Sequence, residues 1–283
     1  QFPVEHSIDF LATPSRENYE YADPFLKWFI AQDAVNQGAA AIIMSESKAD
    51  ELGISQENRI YLHGGGEAGD DHISERPRLD GSWAMEQATY RALSQAGITS
   101  SDIRHFDLYS CFPSAVFSST AAMGIDWKKD TRPFTLTGGL PFFGGPGNNY
   151  SLHGIAEMVR ALRAAPGAHG LVLANGGWMT KEAVGVYSTT RPNAFTPAAP
   201  AAKPTEQVAI CDTDCDGTLE TFTVTHGKAG PEKGIIFARL ADGRRALANA
   251  TPAALAVLRE DESPVGRKVK ITVADEVGTF DFL

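Results

Sequence analysis

Apolar residues change their period along this chain, and the changes divide it. Val35, Ala39, Ile42 and Ile43 in VNQGAAAIIMSES fall at helical spacing and predict a first helix. A strand over Arg59–His63 follows and runs out into GGGEAGDD. From Trp83 a second helix is expected, with Ser82 as its N-cap, a buried stripe of Met85, Ala88, Ala92, Leu93 and Ala96, and Gly97 as its stop. HFDLYSC reads as a short strand and SAVFSSTAAMGI as the helix after it. A glycine-rich stretch then leads into a helix carrying Leu152, Ile155, Ala156, Val159 and Leu162 on one face. GLVLANGG and AVGVYSTT read as two strands, the first apolar enough to be central. Alternating strands and helices up to Arg191 predict an α/β layered domain.

PNAFTPAAPAAKP, Pro192 to Pro204, interrupts the pattern as a Pro/Ala linker. Beyond it Val and Thr alternate in TLETFTVTHG, GIIFARLADGRRALANA and VGRKVKITVADEV, with Asp242-Gly243 as a hairpin turn and one helix around ATPAALAVLRE. That order fits a five-stranded OB-like β-barrel. The expected division is 1–192 as the α/β part, 193–203 as linker and 204–283 as the β domain. No repeats are visible.

Composition narrows the function classes. The 283 residues carry 43% apolar and 21% charged side chains and a formal charge of −10. That balance argues against nucleic acid or an anionic membrane surface, since both reward clustered Lys and Arg. No apolar run reaches the roughly 18 residues of a membrane span, and no signal-peptide pattern opens the chain. Cys111, Cys211 and Cys215 make no disulfide framework, so a reducing cytoplasm is expected. The opening QFPVEHSIDFLATPSRENYEYADPF has no initiator Met and no regular period; it is expected to belong to a longer or processed protein.

Candidate chemistry concentrates in Thr137–His153, TGGLPFFGGPGNNYSLH. Gly138, Gly139, Gly144, Gly145 and Gly147 lie within ten residues, with Pro141 and Pro146 among them. Glycine lets backbone approach a ligand, and the helix beginning near Asn149 or Tyr150 turns its free N–H groups toward the loop. His153 falls in its first turn, where the dipole favours a neutral imidazole. Neither a Walker A nor a G-x-G-x-x-G pattern is present, and a purely structural Gly/Pro loop is the competing reading. In DLYSCFPSAV, Tyr109, Ser110 and Cys111 occupy the carboxyl end of a strand, where α/β folds place ligands. Cys111 reads either as a nucleophile at a helix N-terminus or as a buried small thiol. HGGGEAGDDH, His63 to His72, reads as a solvated acidic loop rather than a metal site. DTDCDGTLETFT lacks the closing Glu of a calcium loop, having Thr223 there, and Cys211 with Cys215 make only half a zinc site. No metal is expected.

Taken in order, N-Q-G-A-A-A, D-L-Y-S-C-F, G-G-L-x-x-x-G-G-P-G and L-V-L-A-N-G-G resemble the C-terminal half of the thiolase superfamily. The branch they resemble is that of thiolase-like acetyl-CoA acetyltransferases near the sterol-carrier type, which carry an extra C-terminal β domain. The resemblance implies a βαβαβαββ half with acyl-CoA bound where two halves meet. The nucleophilic cysteine belongs to the other half, in the same longer chain or in a partner, and residues up to about Tyr21 end the loop region between the halves. A homo-oligomer is a further possibility. Acyl-CoA or CoA is expected as substrate, with no separate cofactor.

Position by position the match is mixed. Where sterol-carrier-type thiolases have H-D-C-F this chain has Tyr109-Ser110-Cys111-Phe112, which puts Tyr109 at the first oxyanion site. Where they have G-H-P it has Gly144-Gly145-Pro146, so the oxyanion-binding histidine is absent, with His153, Asn148 or Asn149 as substitutes. Where they have C-x-G-G it has Ala174-Asn175-Gly176-Gly177, so the acid/base thiol is missing, while Gly176 keeps the backbone donor of the second oxyanion hole. The implied roles are His153 as base or oxyanion donor, Tyr109 as proton donor or oxyanion support, Gly176 as backbone donor, and Cys111 as a lesser candidate. Gly144, Gly145, Gly147, Asn148, Asn149 and Asn175 would line the acyl pocket. The expected function is part of an acyl-CoA acyltransferase. A retro-aldolase subunit acting on a β-hydroxyacyl-CoA and a non-catalytic acyl-CoA-binding or scaffold protein are the alternatives.

Overall fold

The computed structural model describes residues 4–195, 206–274 and 277–283. Most of the expected linker, from 196 onward, therefore lies outside the described residues. The described residues form two compact units, one within Phe29–Asp70 and Arg78–Lys203, the other within His6–Trp28, Asp71–Pro77 and Pro204–Leu283. Each is taken in turn.

In the α/β unit, β3 (Tyr61–Gly69), β4 (Ile103–Leu108), β5 (His169–Gly176) and β6 (Lys181–Ser188) make a sheet of order β3-β6-β5-β4. Only the β4–β5 pair is parallel. The helices of this unit are α2 (Glu46–Glu51), α3 (Trp83–Ala96), α4 (Pro113–Ala122), α5 (Leu140–Phe143) and α6 (Tyr150–Ala164). Leu171 and Leu173 of β5 join Met85, Ala88 and Ala92 of α3 in one core, whereas Val172 between them joins Met158 and Leu162 of α6 in another. The sheet is thus covered on both faces, as the apolar run of β5 requires.

The helix α3 has the boundaries its caps dictate: Ser82 Oγ accepts from Met85 N at 3.2 Å, and Gly97 closes it at φ 67°. Three expectations need correction. Val35–Ser45 forms no helix; the first turn there is α2, capped by Ser45, and Ile42 and Ile43 are 87% and 92% exposed. A helix draws its stability from burying a face, and this one has nothing to bury it against among the described residues. The buried face of α6 is Tyr150, His153, Gly154, Met158 and Leu162, rotated from the expected stripe, of which only Leu162 is fully buried. His63–Gly69 is strand rather than acidic loop. Its glycines let β3 lie directly on α3, where an added Cβ on Gly64 or Gly66 would overlap the carbonyl oxygens of Ala92 and Ala88. Gly66→Ala is accordingly expected to destabilise the α/β unit by about 2–3 kcal/mol, read as a lower urea midpoint at unchanged slope.

The second unit is the expected β-barrel. β7 (Cys215–Gly227), β8 (Gly230–Arg239), β9 (Arg245–Ala250), β10 (Lys268–Thr272) and β11 (Gly278–Phe282) follow the order β10-β11-β9-β8-β7, and β10 pairs with β7 to close it. α7 (Pro252–Glu260) is capped by Thr251, whose Oγ1 accepts from Ala254 N. Leu219, Val224, Ile236, Val269, Ile271 and Phe280 fill the interior, with Leu258 of α7 against them. Residues 6–28, expected with the α/β part, cluster with the barrel instead. Here α1 (Ile8–Ala12) and the short strands β1 (Glu20–Ala22) and β2 (Phe25–Leu26) are held by specific contacts. Ala22 pairs with Thr225 of β7, and His226 Nε2 meets Asp23 Oδ1 at 2.8 Å. Buried Asn18 donates to Phe10 O and Leu11 O and accepts from Trp28 N. No helix among the described residues is long and apolar enough to cross a membrane.

Candidate functional site

The parallel strands β4 and β5 end side by side, and the carboxyl ends of such strands are where open α/β sheets bind ligands. Tyr109, Ser110 and Cys111 leave β4 in the turn before α4, which begins at Pro113. Asn175 and Gly176 close β5. Beside these ends lies a cleft of about 540 Å³, lined by Tyr109, by Asn148 and Ser151 near the start of α6, by Ala174–Gly176, by Lys181–Ala183 of β6 and by Glu67–Gly69 of β3.

A buried carboxylate fixes the loop behind this cleft. Asp107 is fully buried, and its Oδ1 accepts from Leu136 N at 2.9 Å, Thr137 N at 3.2 Å and Thr137 Oγ1 at 3.3 Å. Thr137 Oγ1 accepts in turn from Gly139 N at 3.1 Å and lies 2.6 Å from Tyr150 Oη. Leu140 N donates to Ser110 Oγ at 3.1 Å. The loop that opens at Thr137 is therefore tied to the end of β4 by side chains rather than by a ladder. Burial raises the pKa of Asp107 against these hydrogen bonds and raises that of Tyr109, whose ring meets Tyr150 edge-on at 5.3 Å. Tyr109 is thus a neutral phenol at pH 7, a hydrogen-bond donor at the cleft wall.

Of the residues singled out from the sequence, Tyr109, Asn148, Asn175 and Gly176 come together at the cleft. Gly144 and Gly145 do not reach it. Both are buried, and an added Cβ would meet Gln37 and Val35 at the first and Ala31 and Leu140 at the second. Their role is to let the loop pack on the 31–37 segment, where Gly145 N donates to Gln32 O at 2.8 Å. Gly147 and Asn149 are also outside the lining. Asn149 Nδ2 spans from Gln37 O (3.1 Å) to His153 Nε2 (3.3 Å). His153 is buried and is not among the residues that line the cleft, with the Phe143 ring at 5.1 Å, and burial lowers its pKa so that it is neutral at pH 7.

Cys111 is half-buried, with Asn175 Nδ2 at 4.0 Å from its sulfur, and burial pushes its pKa up to about 11. The charge of Glu182 acts in the same direction. Against the ordinary value of 9.0 its thiolate fraction at pH 8 drops about a hundredfold. Iodoacetamide is expected to alkylate Cys111 slowly at pH 8, with a rate still climbing at pH 10; a plateau below pH 9 would contradict the burial argument.

Lys181, Glu182, Ser151 and Glu67 were not singled out in advance. Glu182 carried a readable signal. It shares the buried face of β6 with Val184, Val186 and Ser188 and is only 3% exposed, the one carboxylate on that face. The β5–β6 hairpin carries another departure. Gly177, Trp178 and Met179 have φ of 57°, 60° and 60°, a left-handed run that costs of order 1–3 kcal/mol at each non-glycine residue.

Comparison with known proteins agrees with this architecture. Residues 197–276 match the family described as the thiolase-like protein type 1 additional C-terminal domain. A probable acetyl-CoA acetyltransferase of Mycolicibacterium smegmatis (strain ATCC 700084 / mc(2)155) is 28% identical over 131 residues, 44% of this chain and 31% of that protein. The crystal structure of a monomeric SCP2-thiolase like protein type 1 from Mycobacterium smegmatis superposes with a TM-score of 0.90 at 38% identity, over 99% of this chain and 63% of that one. The chain thus spans less than two thirds of either relative's length. In its fold and in its matched C-terminal domain the chain is similar to thiolase-like proteins.

Proposed function

We propose that this chain is the C-terminal part of a thiolase-like acyl-CoA acyltransferase, and that the cleft beside Tyr109 and Gly176 receives the acyl thioester. The observation that carries this reading is the convergence of Tyr109, Asn148, Asn175 and Gly176 on one cleft at the carboxyl ends of β4 and β5. Thioester chemistry develops negative charge on the carbonyl oxygen, and fixed donors aimed at that oxygen are often the largest catalytic contribution. The Tyr109 phenol and the Gly176 backbone N–H are the donors assigned here, with the Asn148 and Asn175 amides as orienting groups. His153 is left out because it is buried outside the cleft lining. Cys111 is left out because burial keeps it protonated.

A nucleophile is then required from outside these residues. The exposed 40–43 run, with Ile42 and Ile43 facing water, is consistent with a further half of the protein covering it and bringing the cysteine. Ala174, standing where a thiol would move the α-proton, favours a second reading, retro-aldol cleavage with Tyr109 as proton donor. The full-length protein separates the two. CoA-dependent cleavage of acetoacetyl-CoA, reduced about 100-fold in kcat by Tyr109→Phe, is the expected result. Aldehyde or ketone release from a β-hydroxyacyl-CoA, with no CoA consumed, would transfer the assignment to the lyase. Saturable acyl-CoA binding without turnover of either substrate would leave a binding protein.

A further inference from the structure

The left-handed run at the β5–β6 hairpin sits between two residues that line the cleft, Gly176 and Lys181. Its backbone is held by its surroundings. Ser82 Oγ donates to Met179 O at 2.9 Å, Asp70 N donates to Thr180 O at 2.8 Å, and Thr180 N donates to Gly176 O at 3.1 Å. Met179 packs against the core, whereas Trp178 is 75% exposed. Backbone strain at bulky residues persists only where neighbouring structure over-determines it, and such strain gathers at ligand sites. Here the pinned backbone holds a largely exposed indole on the hairpin that joins two cleft-lining residues.

We propose that Trp178 is a specificity-determining residue, an apolar platform for the acyl chain of the thioester. The proposal rests on the acyl-CoA reading above, with the thioester carbonyl at the Gly176 N–H. Trp178 is two residues from Gly176, so their Cα atoms are at most about 7 Å apart. The adenine of CoA lies a full pantetheine arm from its thioester, beyond that reach. Of the two ends of the ligand, the reacting one is therefore the end within the indole's reach. The pantetheine arm there is amide-bearing and common to every acyl-CoA, whereas a broad apolar face suits the part that varies, the hydrocarbon chain.

The test measures Kd for acetyl-CoA and octanoyl-CoA on the full-length protein and on Trp178→Gly and Trp178→Phe, by calorimetry. Wild type is expected to prefer the longer chain. In Trp178→Gly the octanoyl-to-acetyl affinity ratio should fall about tenfold, whereas Trp178→Phe should keep most of it. Glycine relieves the strained φ, so Trp178→Gly should also melt at a higher temperature than wild type. A residue with only a structural role would lose stability and leave the ratio alone. An unchanged ratio in Trp178→Gly with normal acetyl-CoA binding overturns the platform and leaves the cleft assignment intact. Failure of wild type to bind any acyl-CoA overturns both.

Discussion

Arg245→Ala is expected to destabilise the barrel unit by about 3–5 kcal/mol, the range for removing one partner of a buried ion pair. Arg245 is fully buried. Its guanidinium grips Glu220 with two bonds, Nε to Oε2 at 2.8 Å and Nη2 to Oε1 at 3.0 Å. Nη1 donates to the carbonyls of Ser74 and Arg76, with Arg76 O at 2.9 Å. One side chain therefore fastens the 71–77 segment to the barrel, and alanine would leave a carboxylate and two carbonyls to find other partners. Arg239, 2.7 Å from Glu220 and more exposed, would compensate only in part. Lysine should not rescue, because a single ammonium cannot reproduce a planar fork that meets a carboxylate and two carbonyls at once. Removing the pair together, as Arg245→Met with Glu220→Leu, should recover most of the loss. Urea unfolding gives the energies, and hydrogen exchange at Glu75 and Arg76 gives the location. Unchanged exchange there in Arg245→Ala would show that the segment is held by something else.

Asp107→Ala is expected to cost about 3–4 kcal/mol and to loosen the loop behind the cleft. It removes the acceptor of two backbone N–H groups and of Thr137 Oγ1, and hydrogen bonds to a charged group are each worth about 1.5–3 kcal/mol. Relief of the buried charge offsets part of that sum. Asp107→Asn keeps an acceptor at Oδ1 and should lose far less. The same substitution exposes a pH dependence. Burial raises the folded-state pKa of Asp107 above its ordinary 3.8, so its contribution to stability is fully present below 3.8 and is lost as pH rises through the folded value. Relative to Asp107→Asn, wild type should therefore gain stability as pH falls from neutral toward 3.8. A difference that is flat in pH, or one that shrinks on acidification, would contradict the raised pKa.

Much of the architecture is legible from local signals, and its failures have physical causes. Ser82 and Gly97 bound α3 because capping is local chemistry. Alternation and Asp242-Gly243 reveal the barrel because a strand exposing one face repeats every second residue. Val35–Ile43 misleads because alanine and isoleucine at helical spacing also suit an extended segment, and only a packing partner decides between them. The face of α6 is misjudged because Tyr150, Gly154 and Met158 win the interior through contacts with Thr137, Asp107 and Gly170 that no period encodes. At the site, Tyr109, Asn175 and Gly176 are foreseeable as strand-end residues. Gly144 and Gly145 signal a tight loop correctly, but glycine permits close approach to protein as readily as to a ligand. Here Gln37, Val35 and Ala31 fill that space.

Binding of an acyl thioester at the Tyr109–Gly176 cleft is tested most directly by titrating isotopically labelled full-length protein with acetyl-CoA and following backbone amide shifts. Saturable shifts centred on Tyr109, Asn148, Asn175 and Gly176, and weakened by Tyr109→Phe, are the predicted result. Shifts confined to the barrel residues, or no saturable change at the cleft, would contradict it.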